Sequence, residues 1–162
     1  YWLDAEPVAV TAAGGAWINP GVQDAVFATL TYPKGVLVNL HCSWLNPRKA
    51  RDITVVGDRR MLTFDDMNLN EPLRVYDKGV TEQVSTSVVD TFASFRASVR
   101  EGDITIPKVP MGEPLKSECD HFIECITKNQ EPLTNARRAK SVVKTLEGIA
   151  TSLAQKGAEV RL

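Results

Sequence analysis

The sequence predicts an α+β fold, a mostly antiparallel open-faced sheet with two C-terminal helices packed on one face, in a single domain spanning residues 1–162. Two observations carry this. Two amphipathic helices stand in tandem at the end of the chain, and about a hundred residues that read almost entirely as strands precede them. Strands first and helices last favour α+β over the alternating βαβ order of a dinucleotide fold. Upstream, Gly14-Gly15 belongs to no Gly-x-Gly-x-x-Gly motif and no helical pattern follows it, so it is no phosphate cradle.

The strands come in order. Val8 to Ala13 opens the series. Asp24 to Tyr32 and Val36 to Leu45 are β-branched and aromatic, and Pro33-Lys34-Gly35 between them reads as a three-residue hairpin loop with Gly35 left-handed. That loop sets the register: Tyr32 faces Val36, Leu30 faces Val38, Ala28 faces Leu40, Val26 faces Cys42 and Asp24 faces Trp44. This is the apolar face, and Trp44 falls on it. The other face pairs Thr31 with Leu37, Thr29 with Asn39 and Phe27 with His41, and a one-residue slip would scramble both sets. Further strands are expected at Arg51 to Gly57, Arg60 to Phe64 and Leu73 to Tyr76, with Asp58-Arg59 and Asp77-Lys78-Gly79 as turn signals. Together they make one sheet of five or six strands. Val80 to Phe95 is rich in Ser and Thr and fits either a loop with a short helix or an irregular strand; Ile104-Thr105-Ile106 suits an edge strand stopped by Pro107.

Helix one, from Pro114 to about Asn129, repeats Leu115, Cys119, Phe122, Ile123 and Ile126 at steps of 3 and 4, with Pro114 at the first helical position. Helix two, from about Asn135 to Lys156, carries Ala139, Val142, Val143, Leu146, Ile149, Ala150 and Leu153, and Gly157 closes it. Two helices cover one face of a sheet. The face bearing Phe27, Thr29, Leu37, Asn39 and His41 is then left for solvent, a ligand or another sheet.

Composition bounds the partners. Lys and Arg total 19 against 20 Asp and Glu, a net charge of -1, which gives no field for nucleic acid or an anionic membrane. No apolar run approaches the roughly 20 residues of a membrane span. Three cysteines, Cys42, Cys119 and Cys125, do not suggest a disulfide framework and point to a reducing, cytoplasmic setting. Tyr1-Trp2-Leu3 places apolar residues where termini are usually polar, which suggests a piece cut from a longer chain.

Candidate chemistry is sparse. His121 and Cys125 lie four apart on one helix with Glu118 a turn earlier, but a structural zinc needs four ligands and no second pair has suitable spacing, so no metal site is expected. Asp65-Asp66 reads as a solvated turn, because adjacent residues of an extended chain point opposite ways. Neither His41 nor His121 neighbours a Gly-x-Ser-x-Gly turn, so nothing marks a hydrolase. The segment Ser43-Trp44-Leu45-Asn46-Pro47-Arg48-Lys49-Ala50-Arg51 gathers Trp, Asn and cations at a corner. It suits either an anionic sugar or phosphate gripped by Lys49 and Arg51 with Trp44 against a ring, or a solvated hairpin corner with Trp44 in the core.

That same segment, leading into Thr54-Val55-Val56-Gly57, Met61 and Asp65-Asp66, resembles the sheet domain of the Gfo/Idh/MocA oxidoreductases. So do Glu113-Pro114-Leu115, Glu118-Cys119-x-His121-Phe122 with Ile126, and Pro132-Leu133-Thr134. The resemblance runs from about Pro7 to Leu162 and implies the C-terminal half of an NAD(P)-dependent dehydrogenase of sugars, inositols or nucleotide-sugars. In that family an N-terminal Rossmann domain binds the cofactor, and the open face of the C-terminal sheet commonly pairs with another subunit. The family's Gly-rich fingerprint, its Glu-Lys-Pro motif with the catalytic lysine and its Gly-x-x-Asp-x-x-x-His helix match no position here, so no catalytic or cofactor-binding residue is assigned. NAD or NADP would belong to the complete enzyme and not to this chain alone. Tyr1-Trp2-Leu3 would be the tail of that last helix. The resemblance implies a homo-oligomer through Phe27, Thr29, Leu37, Asn39 and His41, with Lys49, Arg51 and the Trp17-Ile18-Asn19 loop, Trp17 and Asn19 above all, toward a small sugar substrate. The rival reading is a stand-alone binding or scaffold module that uses the open face.

Overall fold

The computed structural model describes residues 3–80, 99–110 and 112–162, and the chain divides into two units, Tyr1–Pro47 with Leu115–Leu162, and Arg48–Pro114. The Ser/Thr-rich stretch Val80 to Phe95 lies, beyond Val80 itself, outside the described residues.

In the first unit, strands β1 (Ala9–Gly15), β2 (Ala25–Thr31) and β3 (Leu37–Ser43) form an antiparallel meander. The turn Pro33–Gly35 joins β2 to β3, with both Lys34 (φ 62) and Gly35 (φ 76) left-handed. The register is the expected one, from Thr31 opposite Leu37 to Val26 opposite Cys42, and Tyr32 N donates to Val36 O at 2.8 Å. A short strand β8 (Val160–Arg161) adds to the free edge of β1, giving the order β3-β2-β1-β8. Two residues are too few to show a period of two, so pattern alone does not reveal β8.

Helices α1 (Pro114–Lys128) and α2 (Ala136–Ala154) follow the expected bounds closely. Asn135 caps α2, its side chain accepting from Arg138 N at 3.0 Å. Left-handed Lys156 (φ 56) and Gly157 (φ 91) end it, Gly157 N donating to Ser152 O at 2.8 Å.

The helix-to-sheet contact is made by α2 against β1 and β8. Val10, Ala12, Ala28 and Leu30 are buried, with Tyr32, Val38, Leu40, Ile149, Leu153, Val160 and Leu162 packed around them. Gly148 lets the helix approach: a Cβ there would stand 2.4 Å from Leu162 Cδ2 and 3.0 Å from Val10 Cγ1. Ser152 is fully buried (0% exposed). Its Oγ accepts from Ala12 N at 2.8 Å and donates to Ala158 O at 2.7 Å. Continuing the β1–β8 register past Val10 and Val160 would set Ala12 opposite Ala158, so the hydroxyl stands between two groups that would otherwise pair directly.

The rest of the expected helical stripe is not in this core. Leu115, Phe122, Ile123 and Ile126 of α1 and Val142, Val143 and Leu146 of α2 are exposed, and on α1 only Cys125 is buried among the described residues. Small residues at Gly148, Ser152 and Ala12 draw in the C-terminal half of α2, and that contact closes the core before the other apolar positions reach it. Trp44, expected on the covered face, lies one residue past β3 and is 87% exposed. α2 packs against β1 and β8, and Trp44 follows β3, the opposite edge strand of the sheet.

The second unit is another four-stranded antiparallel sheet, order β4-β5-β6-β7, built from β4 (Asp52–Val56), β5 (Met61–Asp65), β6 (Leu73–Val80) and β7 (Val99–Thr105). The described strands therefore form two sheets where the pattern suggested one. Pairing ends at Ser43 on β3 and resumes at Asp52 on β4, and Pro47 between them lacks the N–H a ladder needs. The Asp58-Arg59 turn is as expected, Gly57 N donating to Arg60 O at 2.9 Å. Asp77-Lys78-Gly79 is no turn: β6 runs through it, with a register irregularity between Tyr76 and Lys78. Gly79 serves close approach instead, since a Cβ there would lie 2.6 Å from Asp58 O. The edge strand expected at Ile104 is β7.

Ser152→Ala removes an acceptor from the N–H of buried Ala12 and a donor from the C=O of Ala158. The expected loss is about 1–3 kcal/mol, read as a lower urea midpoint at unchanged slope; a loss under about 0.5 kcal/mol would show that Ala12 and Ala158 re-pair without the hydroxyl.

Candidate functional site

On the open face of the first sheet, the pleat puts Phe27 beside His41, Thr29 beside Asn39 and Thr31 beside Leu37. Phe27 and His41 stack with ring centroids 4.4 Å apart and planes at 21°. Asn39 Nδ2 donates to Thr29 Oγ1 at 3.4 Å. Phe27, Leu37, Asn39 and His41 are exposed and Thr29 is half-buried, so the five expected residues form one contiguous two-strand patch. Phe27 is 50% and Leu37 66% exposed, large apolar areas flanking a polar centre.

At the far end of the same sheet, Gly15, Ala25 and Ser43 stand in one row. The loop after β1 carries Trp17 and Asn19. Its geometry is set by Asp24, which pattern reading treats only as the end of a strand. Asp24 is buried, and its Oδ2 accepts from Trp17 N at 2.5 Å and Ile18 N at 2.7 Å. Its main chain continues the ladder on both sides, Asp24 N donating to Gly15 O at 2.8 Å and Trp44 N donating to Asp24 O at 2.7 Å. The Trp17 ring lies against Gly15, where a Cβ would meet its Cη2 at 2.5 Å. Asn19 O accepts from Val22 N at 3.1 Å, closing the loop. The available sequence signal was an acid just ahead of a strand and a few residues after a Gly-Gly-x-Trp run.

Lys49 and Arg51 belong to the second unit and Trp17 and Asn19 to the first. Lys49 is exposed. Arg51 Nη1 is paired with Asp66 Oδ2 at 3.4 Å, and Asp66 N donates to Arg51 O at 2.9 Å. Asp65 accepts from Met67 N at 2.9 Å. The two acids are thus occupied in a turn and an ion pair, as the solvated-turn reading expects.

His121 has a local task. Its Nε2 accepts from Leu133 N at 3.1 Å, tying α1 to the connection before α2, and Cys125 Sγ lies 3.5 Å from the same nitrogen. Nε2 thus has a partner within the protein. No group of three or more metal-binding side chains occurs among the described residues. Among those residues, too, no helix is long and apolar enough to cross a membrane.

Residues 1–63 match the model of the GFO/IDH/MocA C-terminal domain. The chain resembles a Gfo/Idh/MocA C-terminal domain. No curated protein matches it in sequence. Solved structures extend the likeness to the whole fold. Aldose-aldose oxidoreductase from Caulobacter crescentus is 19% identical with a TM-score of 0.67, over 98% of this chain and 42% of that one. UDP-N-acetylglucosamine 3-dehydrogenase from Acidithiobacillus ferrooxidans is 18% identical with a TM-score of 0.73, over 94% and 42%. The WlbA dehydrogenase from Bordetella pertussis, solved with NADH and UDP-GlcNAcA, is 18% identical with a TM-score of 0.64, over 99% and 40%. At these identities the likeness establishes the fold. The chain spans about two fifths of the length of these structures.

His121→Phe keeps an aromatic ring and removes the acceptor. A loss of about 1 kcal/mol is expected, with no stoichiometric zinc binding by wild type in calorimetry. Micromolar zinc binding that the substitution abolishes would instead make His121 and Cys125 ligands.

Proposed function

We propose that this chain is the substrate-side and oligomerisation part of an NAD(P)-dependent dehydrogenase acting on sugars, inositols or nucleotide-sugars, and that it performs no hydride transfer alone. The observation that carries the reading is coverage. Almost the whole chain superposes on only about two fifths of an oxidoreductase and two dehydrogenases, and its first 63 residues match a domain described as C-terminal. In this reading NAD or NADP binds elsewhere in the complete enzyme, the setting is cytoplasmic, and this chain contributes to the substrate side, with Trp17 and Asn19 as the candidates in the first unit and Lys49 and Arg51 as those in the second.

The open face of the first sheet is the subunit contact in this reading. Phe27, Thr29, Leu37, Asn39 and His41 lie on neighbouring strands, and a two-fold axis through such a patch would set it against its own copy. Apolar Phe27 and Leu37 on either side of the Thr29–Asn39 bond supply burial and polar register together.

Asn39→Lys with His41→Lys sets like charges against one another across a two-fold contact. Analytical ultracentrifugation is expected to show a self-associating wild type and a monomeric double variant, with the dissociation constant raised at least about tenfold. An unchanged association state would move the contact to another surface.

Separately, NADH titrated into this chain should show no saturable change in nicotinamide fluorescence up to about 1 mM, a weak-binding limit of roughly 4 kcal/mol. Micromolar binding would mean that the chain holds cofactor itself, against this reading.

A further inference from the structure

We propose that His41 makes the open-face contact sensitive to acid: when its imidazole takes up a proton, a second copy of this chain is released. That the open face of the first sheet meets a second copy rests on the reading above; which charge state of His41 the contact accepts rests on the groups this face carries.

A contact about a two-fold axis is isologous, so the surface that meets this face is the same face. Its chemistry can therefore be read from one copy. The register sets alternate residues of β1, β2 and β3 on the open side, and among these described residues His41 is the one titratable side chain; the others are small, apolar or uncharged polar. The charged groups around them are few. Lys34 lies in the turn that joins β2 to β3. Asp24, just ahead of β2, is buried, and its carboxylate accepts from Trp17 N and Ile18 N. Arg161 stands on β8 opposite Ala9, with Glu159 two positions ahead of it in the chain. The order β3-β2-β1-β8 puts β8 three strands away from His41, about 14 Å at ordinary strand spacing. A two-fold axis lying in the contact and passing through the β2–β3 patch sets β3 over β2 or β3 of the copy and not over β8.

In the single chain His41 is exposed and stacks on Phe27, with ring centroids 4.4 Å apart and planes at 21°. The Phe27 face attracts an imidazolium. It does so in the free chain and in the dimer alike, so it does not offset what the contact takes away. On association the ring exchanges water for the copy's face, which brings no carboxylate over β2 or β3 and sets the copy's own His41 and Lys34 against it. An ion buried without a counter-ion is costly, whereas a neutral imidazole enters as a flat, half-apolar ring. The sign follows from linkage. The free chain binds more protons than the dimer, so a falling pH moves the equilibrium toward free chains. Histidine is the side chain whose ordinary charge change falls between about pH 5 and 8, which puts the response within reach of mild acidification.

The test is sedimentation velocity on this chain and on its His41→Phe and His41→Gln variants, at about pH 7.5 and about pH 5.5 and at equal ionic strength. The quantity read is the ratio of the two dissociation constants within each protein, so a variant that associates more weakly throughout still reports. The wild-type constant is expected to rise at least about tenfold on acidification, since each dimer holds two histidines that must be neutral, while the variants change by less than about twofold. A second readout needs no variant. Followed by proton NMR, the His41 ring of the wild type should titrate at lower pH in concentrated, dimeric protein than in dilute, monomeric protein, because coupling between two binding events is reciprocal. A wild type with the same constant at both pH values, a rise that both variants retain, or a ring titration independent of concentration overturns the switch and leaves the open-face contact standing. Acid unfolding falls under the second of these outcomes, since it weakens all three proteins alike. A wild type that stays monomeric at the higher pH up to about 1 mM overturns the subunit-contact reading itself, and the switch with it.

Discussion

The seat of α2 on β1 depends on a single hydroxyl. Ser152 spans Ala12 N and Ala158 O at hydrogen-bond distance on both sides, so helix, strand and C-terminal return meet at one atom. A larger residue would hold the helix off. A residue without a polar atom would leave the edge of β1 unpaired where β8 has already ended. Gly148, one turn earlier, serves the same approach by leaving room for Leu162 and Val10. Dispersion and apolar burial supply most of the stabilisation around this point, but they require the backbones to be this near, and Gly148 and Ser152 allow that.

From this seat the polarity of the sheet follows. Once Val10, Ala12, Ala28 and Leu30 are committed to the helix, the pleat turns Phe27, Thr29, Leu37, Asn39 and His41 to the opposite side. The stacked Phe27–His41 pair and the Asn39–Thr29 bond order that side without burying it. A patch that is pre-ordered and half apolar loses little entropy on meeting a partner. The same pleat argument cannot be made for the exposed stripe of α1, since helical periodicity says which residues share a face and not whether anything reaches it.

Legibility in the sequence tracked the reach of local chemistry. The β2–β3 register was readable because Pro33-Lys34-Gly35 admits few turn geometries and a slip would invert every side chain. The helix ends were readable from Pro114, Asn135 and Gly157 for similar reasons. What failed was non-local. Asp77-Lys78-Gly79 has turn chemistry, yet its glycine answers to the approach of Asp58, about twenty residues earlier. Trp44 has the right parity for the core and follows β3, the edge strand opposite the one against which α2 packs. Of the site, the open-face row was legible from parity alone, whereas Asp24 was not, because a carboxylate that accepts from two amides six and seven residues away has no periodic signature.

The same distinction accounts for where sequence likeness ends and fold likeness continues. The family model matches residues 1–63, a stretch that contains β1 to β4, most of β5 and the turns between them. There, particular residues are demanded: glycines where Trp17 and Ala25 press on the backbone, an acid at Asp24, a left-handed pair at Lys34-Gly35. From Pro114 onward the fold asks chiefly for amphipathic helices with a small residue at each close contact, a requirement that many sequences meet. Sequence identity can therefore fall below one fifth while the backbone still superposes over nearly the whole chain. The residues worth comparing between such proteins are those whose backbone geometry or buried polar partner leaves little choice, and Gly148, Ser152 and Asp24 are the ones this chain identifies.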